Sequence, residues 1–134
     1  KFPDFKNLSK KRSTGAEYIA LYPNVLFGAH RDHAYAIILL PLSYSETVEN
    51  VHIYYSQPNT SSSLKKKNKD QWKEVFEEDI FVVEGMQAGR LGIKFDGGRF
   101  SPKMDEPTHC FHDWVASKVN DFRNNNHQIT NVTE

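Results

Sequence analysis

The chain has 134 residues, with 17 Lys and Arg against 17 Asp and Glu, so its length suits one domain and its formal net charge is zero. That balance lacks the basic footprint of a nucleic-acid binder, and no run approaches the about 18 consecutive apolar residues of a membrane span. A lone cysteine, Cys110, excludes an internal disulfide, and no charged-then-apolar leader opens the chain, so a reducing, cytoplasmic compartment is expected.

Residues 1–14 carry Lys1, Lys6, Lys10, Lys11 and Arg12 without periodicity and read as a solvated loop. The triplets beginning at Asn7, Asn59 and Asn131 have the Asn-x-Ser/Thr form, which matters only in a secreted protein. From Ala16 the texture becomes β-branched and aromatic. Tyr18 to Phe27, Tyr35 to Leu40 and Val51 to Tyr55 read as three strands of a meander, the first bent, bulged or at an edge because Pro23 sits inside it. Ala29 to His33 is short enough for an antiparallel hairpin, and Ser43 to Asn50 supplies the second turn. Residues 56–70 are rich in Ser, Asn and Lys and read as a mobile loop.

Asp70 is placed to cap a helix running to Gly89 and Arg90, with Trp72, Val75, Phe76, Val83 and Met86 at helical spacing and acidic residues early. Asp96-Gly97-Gly98 reads as a turn. A second helix is expected from Thr108 to Phe122, with Phe111, Trp114, Val115 and Val119 on one stripe and Pro107 at its start. The tail from Asn124 is polar and expected to fray. The sum is a single α+β domain over 1–134, an antiparallel sheet with long helices on one face. Three strands make a thin sheet with open edges, so further strands from outside this sequence are expected to complete it.

Asp79 carries the chemistry in this pattern. It follows Trp72 by seven residues and precedes Val83 by four, which puts a carboxylate on the apolar stripe and turns it toward the core, unless the helix is rotated slightly and leaves Asp79 at the solvent boundary, or Ile80-Phe81-Val82-Val83 is a short strand and the stripe does not exist. Such a group is protonated, paired with a cation or bound to a metal, because burying it alone costs several kcal/mol or more. His30 and His33 stand three apart in a turn, and His109 and His112 three apart on a helix, where both could share a face. Neither pair has the i, i+4 spacing with an intervening Glu of a zinc protease. Cys110 reads as a small hydrophobe, and the chain has no phosphate-cradling glycine loop, no Gly-x-Ser-x-Gly and no Cys-x-x-Cys.

Three segments together resemble a family. The run from Trp72 to Ile80, then Glu84-Gly85-Met86-Gln87-Ala88-Gly89-Arg90, is similar to the C-terminal signature of Rieske non-haem iron (aromatic-ring-hydroxylating) oxygenase α subunits. Phe100-Ser101-Pro102 and the stretch from Glu106 to Val115 resemble that family's last helix, and Leu21 to His33 resembles its sheet. The resemblance implies the C-terminal part of a helix-grip, Bet v 1-like catalytic domain. It further implies a mononuclear Fe(II) held by two histidines and one carboxylate, with positions left open for dioxygen. Asp79 matches the carboxylate, making this chain one part of the iron site. Electrons would come from a [2Fe-2S] Rieske cluster held by two Cys and two His. With Cys110 alone, that cluster belongs to a missing N-terminal part, as do the two iron histidines, since neither His30 nor His33 occupies their place.

The implied partners are that missing half or Rieske domain, a reductase or ferredoxin donor and a small-molecule substrate, in a homotrimer with no nucleic acid and no membrane. The implied reaction is hydroxylation or demethylation of a small aromatic, N-methylated or quaternary ammonium compound, and the chain alone is expected to be inactive. Val75, Phe76, Val83, His30 and His33 are the candidate substrate-pocket residues. The competing expectation is a stand-alone helix-grip module that binds a small apolar ligand without metal.

Overall fold

The structure is a computed structural model that describes residues 2–130, with side chains described through Asn125. Lys1 and the Asn131-Val132-Thr133 triplet lie outside the described residues. The chain divides into two compact units, one ending at Ala88 and the other beginning at Gly89.

The first unit opens with a short 3-10 turn, Lys10–Arg12, and continues into β1 (Glu17–Leu21), β2 (Val25–Ala29), β3 (His33–Pro41) and β4 (Thr47–Tyr55). They form one antiparallel sheet in the order β1-β2-β3-β4. The expected bent first strand is therefore two strands. Pro23 has no N–H for a ladder; its peptide bond with Tyr22 is cis, and Leu21 pairs with Val25 across that turn. Asn24 ties the turn to the neighbouring strand, its backbone carbonyl accepting from Leu39 N at 2.9 Å and its Nδ2 donating to Leu39 O at 2.9 Å.

The expected hairpin at 30–33 forms, with Ala29 opposite Ala34 and His30 N donating to His33 O at 2.9 Å. The next turn is tighter than expected, because Leu42 N donates to Glu46 O at 2.8 Å and β4 begins at Thr47.

One α-helix follows, α1 (Ser62–Arg90), starting eight residues before the expected Asp70. The Lys-rich tract read as a mobile loop is its first turns. Ser61 caps it, accepting from Leu64 N through Oγ at 3.3 Å, and Lys66 reaches Asp70 at 2.6 Å one turn on. Lysine has good helix propensity, and an i, i+4 pair adds to it, so a charged composition does not exclude a helix.

Strand alternation puts His33, Tyr35 and Ile37 of β3 on one sheet face, with Tyr55, Ile53 and Val51 opposite them on β4. Helix α1 lies on this face: Trp72 and Phe76 meet the Tyr35 ring edge-on, at centroid distances of 4.6 and 5.5 Å. Gly28, the β2 partner of Tyr35, makes room for that ring, since a Cβ there would stand 2.7 Å from Tyr35 Cε1 and 2.8 Å from Oη. Ala34, Tyr35 and Ile37 are the buried apolar residues of the unit.

The second unit contains α2 (Glu106–Thr130), longer at both ends than the expected 108–122, so the polar tail from Asn124 continues the helix. Asp105 precedes it and accepts from Ser101 N through Oδ2 at 2.6 Å. Gly97 supplies the positive φ of 92° that the Asp96-Gly97-Gly98 segment needs. Many large apolar side chains are exposed, among them Tyr18 and Leu21 on the β1 edge, Phe81 and Val82 on α1, and Phe122 on α2. Among the described residues, no helix is long and apolar enough to cross a membrane.

Candidate functional site

The β2–β3 turn and the middle of α1 meet in a cluster of rings. His30 and His33 stack face to face, with centroids 4.7 Å apart and planes within 1° of parallel. Trp72 stands against both, at 5.2 and 5.7 Å, and stacks on Phe76 at 5.4 Å. Tyr35 closes the cluster beneath Trp72 and Phe76.

A hydrogen-bonded chain runs through it. The Trp72 indole N–H donates to His33 Nε2 at 2.8 Å, and His33 Nδ1 lies 2.7 Å from Asp32 Oδ1. An indole N–H can only donate, so Nε2 is bare and the ring proton sits on Nδ1, where Asp32 accepts it. Arg31 flanks the carboxylate, its Nε 4.0 Å from Asp32 Oδ2 and 3.3 Å from Asp4 Oδ1. The turn is clamped further: Phe5 N donates to Arg31 O, Ser56 N to Asp32 O, and Ser56 Oγ to Pro3 O.

His30 has no such partner. Its Nε2 is buried without a hydrogen bond among the described residues. Burial first, and the neighbouring His33 second, hold its pKa below the usual histidine value, while Asp32 opposes them.

Asp79 lies seven residues beyond Trp72 on α1. At about 100° per residue this brings it to nearly the same face, about 10 Å along the axis. It is exposed, contrary to the core-facing orientation expected from the stripe. The stripe runs in the right direction, but its cover ends early. Trp72 and Phe76 are half-buried against the sheet, whereas Val75 and Val83 are 44% and 54% exposed. Asp79 remains electrostatically coupled to the cluster. Tyr35, whose pKa is raised above the usual phenol value chiefly by burial, is raised further by Tyr18 and Asp79.

The candidate pocket residues distribute unevenly. His30, His33 and Phe76 gather around Trp72, whereas Val75 and Val83 face outward. A groove of about 660 Å³ lies between β4 and α1, with Val51, Ile53, Tyr55, Trp72 and Phe76 along its walls and lysines such as Lys65 and Lys69 on its rim. Tyr55 donates its phenol proton to Lys65 O at 3.1 Å there. His30 lines a separate cavity of about 460 Å³ with Phe5, Arg12 and Phe27.

In the second unit, Phe100 inserts its ring edge-on against both His109 and His112, at 5.0 and 5.1 Å, and His109 pairs with Asp113 at 3.1 Å. Cys110 is exposed rather than the buried hydrophobe expected.

Iron in a facial triad needs one carboxylate and two imidazoles on one metal. Asp79, exposed and without a cation partner among the described residues, is a carboxylate of the kind such a corner requires. The other corners are not supplied here, for no group of three His, Cys, Asp or Glu among the described residues could hold a metal ion.

Sequence reasoning took Trp72 only as an apolar stripe position and passed over Asp32, Tyr35, Gly28 and Asn68. A buried indole seeks an acceptor for its N–H, and that rule was the available signal for a polar partner such as His33.

A family model described as the catalytic domain of the ring-hydroxylating alpha subunit matches residues 1–121. No curated protein and no solved structure matches the chain.

Proposed function

The chain belongs to the catalytic-domain family of ring-hydroxylating oxygenase α subunits, a family of oxidoreductases that use non-haem iron, and from that premise we propose that Asp79 gives one carboxylate to a mononuclear Fe(II) whose two histidines come from outside this sequence. The observation that carries the reading is Asp79 itself. It is an accessible carboxylate, without an ion-pair partner among the described residues, on the helix face that continues the Trp72 and Phe76 cluster. Bound iron supplies dioxygen activation at its open positions.

This chain's own residues do the rest of the work. Helix α1 presents Asp79, and the His33–Trp72 hydrogen bond together with the packing of Trp72 on Tyr35 ties that helix to the sheet. The large exposed apolar side chains on β1, α1 and α2 support completion of the fold by further elements. Without them the chain is inactive. The substrate of the completed enzyme is a small aromatic, N-methylated or quaternary ammonium compound, hydroxylated or demethylated with electrons from a [2Fe-2S] cluster and a reductase or ferredoxin. The apolar walls of the groove between β4 and α1, Val51, Ile53 and Phe76 among them, support a small, largely apolar substrate.

The test is the iron content of the complete α subunit carrying Asp79→Ala. Mononuclear iron is expected to be lost while the [2Fe-2S] absorption stays, and full iron with full turnover would sink the proposal. The groove between β4 and α1 favours a second reading, a metal-free module for a small apolar ligand. Tight binding of such a ligand, unchanged in Asp79→Ala and independent of iron, would support it.

A further inference from the structure

Asp32, His33 and Trp72 link the β2–β3 turn to α1 through two hydrogen bonds with a fixed sense of donation. The turn end is anchored by Phe5, Ser56 and the Arg31–Asp4 pair. The helix end is Trp72, on nearly the same face as Asp79 and two turns before it. We infer that Asp32, His33 and Trp72 form a strut that sets the rotation of α1 about its own axis and thereby the direction in which Asp79 points; all three are positioning residues. The inference rests on the reading of Asp79 as an iron ligand and adds to it the device that aims the carboxylate.

The lever is short and sensitive. A side-chain tip stands about 5–6 Å from the helix axis, so a rotation of about 20° displaces it by about 2 Å. Misplacement by about 1 Å is enough to lose about a hundredfold in a site that requires fixed geometry. Ring packing is the less directional restraint, because the edge-on contacts of Trp72 and Phe76 with Tyr35 carry no donor–acceptor pair. The indole N–H to Nε2 bond defines one rotation, and the Asp32 carboxylate maintains the tautomer that accepts it. Groups hydrogen-bonded directly to a metal ligand typically contribute tenfold to hundredfold to metal affinity, and the strut, acting through the rotation of the helix, is assigned the same range.

The experiment uses the complete α subunit with its mononuclear site stripped and titrated with Co(II), whose ligand-field spectrum reports coordination independently of turnover. Trp72→Phe keeps an aromatic ring and removes the N–H. It is expected to weaken Co(II) binding by about 10- to 100-fold and to change the spectrum. Asp32→Asn, which keeps the shape and weakens the tautomer preference, is expected to give a smaller loss in the same direction. Ile37→Val loosens the same core without touching the strut and serves as the stability control, with affinity expected to remain within twofold. Affinity unchanged in both Trp72→Phe and Asp32→Asn overturns the strut, as does an equal loss in Ile37→Val. Asp79→Ala runs alongside. If Asp79→Ala abolishes binding while Trp72→Phe and Asp32→Asn leave it intact, only the strut fails; if Asp79→Ala binds Co(II) like the wild type, the ligand assignment fails as well.

Discussion

Replacing Gly28 by alanine places a methyl group where the Tyr35 ring already lies, 2.7 Å from Cε1 and 2.8 Å from Oη. The ring tip has nowhere to retreat, because Tyr35 is 7% exposed and Trp72 and Phe76 stand against it at 4.6 and 5.5 Å. Overpacking of this kind costs about 1–3 kcal/mol. Alanine also restricts the unfolded chain, which returns about 0.4–1 kcal/mol. The net expectation is a loss of about 1–2 kcal/mol, or roughly 3–10 °C in Tm at this chain length. Thermal unfolding of the complete protein, followed by near-ultraviolet circular dichroism, measures it. The origin of the loss is checked by a double-mutant cycle with Tyr35→Leu, which removes the ring: in that background Gly28→Ala should cost less than about 0.5 kcal/mol. A Gly28→Ala protein as stable as the wild type, or one losing the same amount in both backgrounds, would show that the close approach is not what requires glycine.

The lowered pKa of His30 makes stability depend on pH with a definite sign. The unfolded state takes up a proton near the ordinary value of about 6.5 while the folded state resists it, so this contribution is intact above about pH 6.5 and lost as the pH falls toward the lower folded value. His30→Gln should flatten that part of the stability profile, and an unchanged slope would contradict the assignment. Asn68, on α1, is buried with an Oδ1 that has no hydrogen-bond partner among the described residues. Asn68→Leu, similar in volume, should raise stability by about 1 kcal/mol in denaturant unfolding, because an unsatisfied buried acceptor costs about 1–3 kcal/mol; a loss of similar size would mean that the oxygen is satisfied in solution.

The fold was readable from the sequence where pattern and burial agree. β3 shows this best: Tyr35 and Ile37, on one sheet face, are buried, Tyr35 against α1, and the hairpin at 30–33 forms where its length allows. Pro23 marked an irregularity in the first strand, but a bend, a bulge, an edge and a turn leave the same mark on one sequence, and only the pairing of Leu21 with Val25 identifies the turn. The early start of α1 was hidden because composition weighs Lys65 to Lys69 as loop, while the local forces that decide are the Ser61 cap and the Lys66–Asp70 pair. Asp79 was legible as an anomaly on an apolar stripe. Its exposure was one of two open readings, and the sequence could not choose between them, since a helical period gives the direction of a face and says nothing of what covers it. The Asp32–His33–Trp72 chain was illegible for a related reason: it joins positions 39 residues apart, beyond the reach of any local pattern.

The central claim is that this chain places Asp79 at an iron atom completed by residues from elsewhere. Anomalous diffraction at the iron edge from crystals of the complete α subunit tests it most directly. The expected result is an iron peak about 2.0–2.2 Å from an Asp79 carboxylate oxygen, the ordinary metal–carboxylate distance, with two imidazoles from outside this chain at its other positions. An ordered mononuclear iron peak that Asp79 does not touch would contradict it.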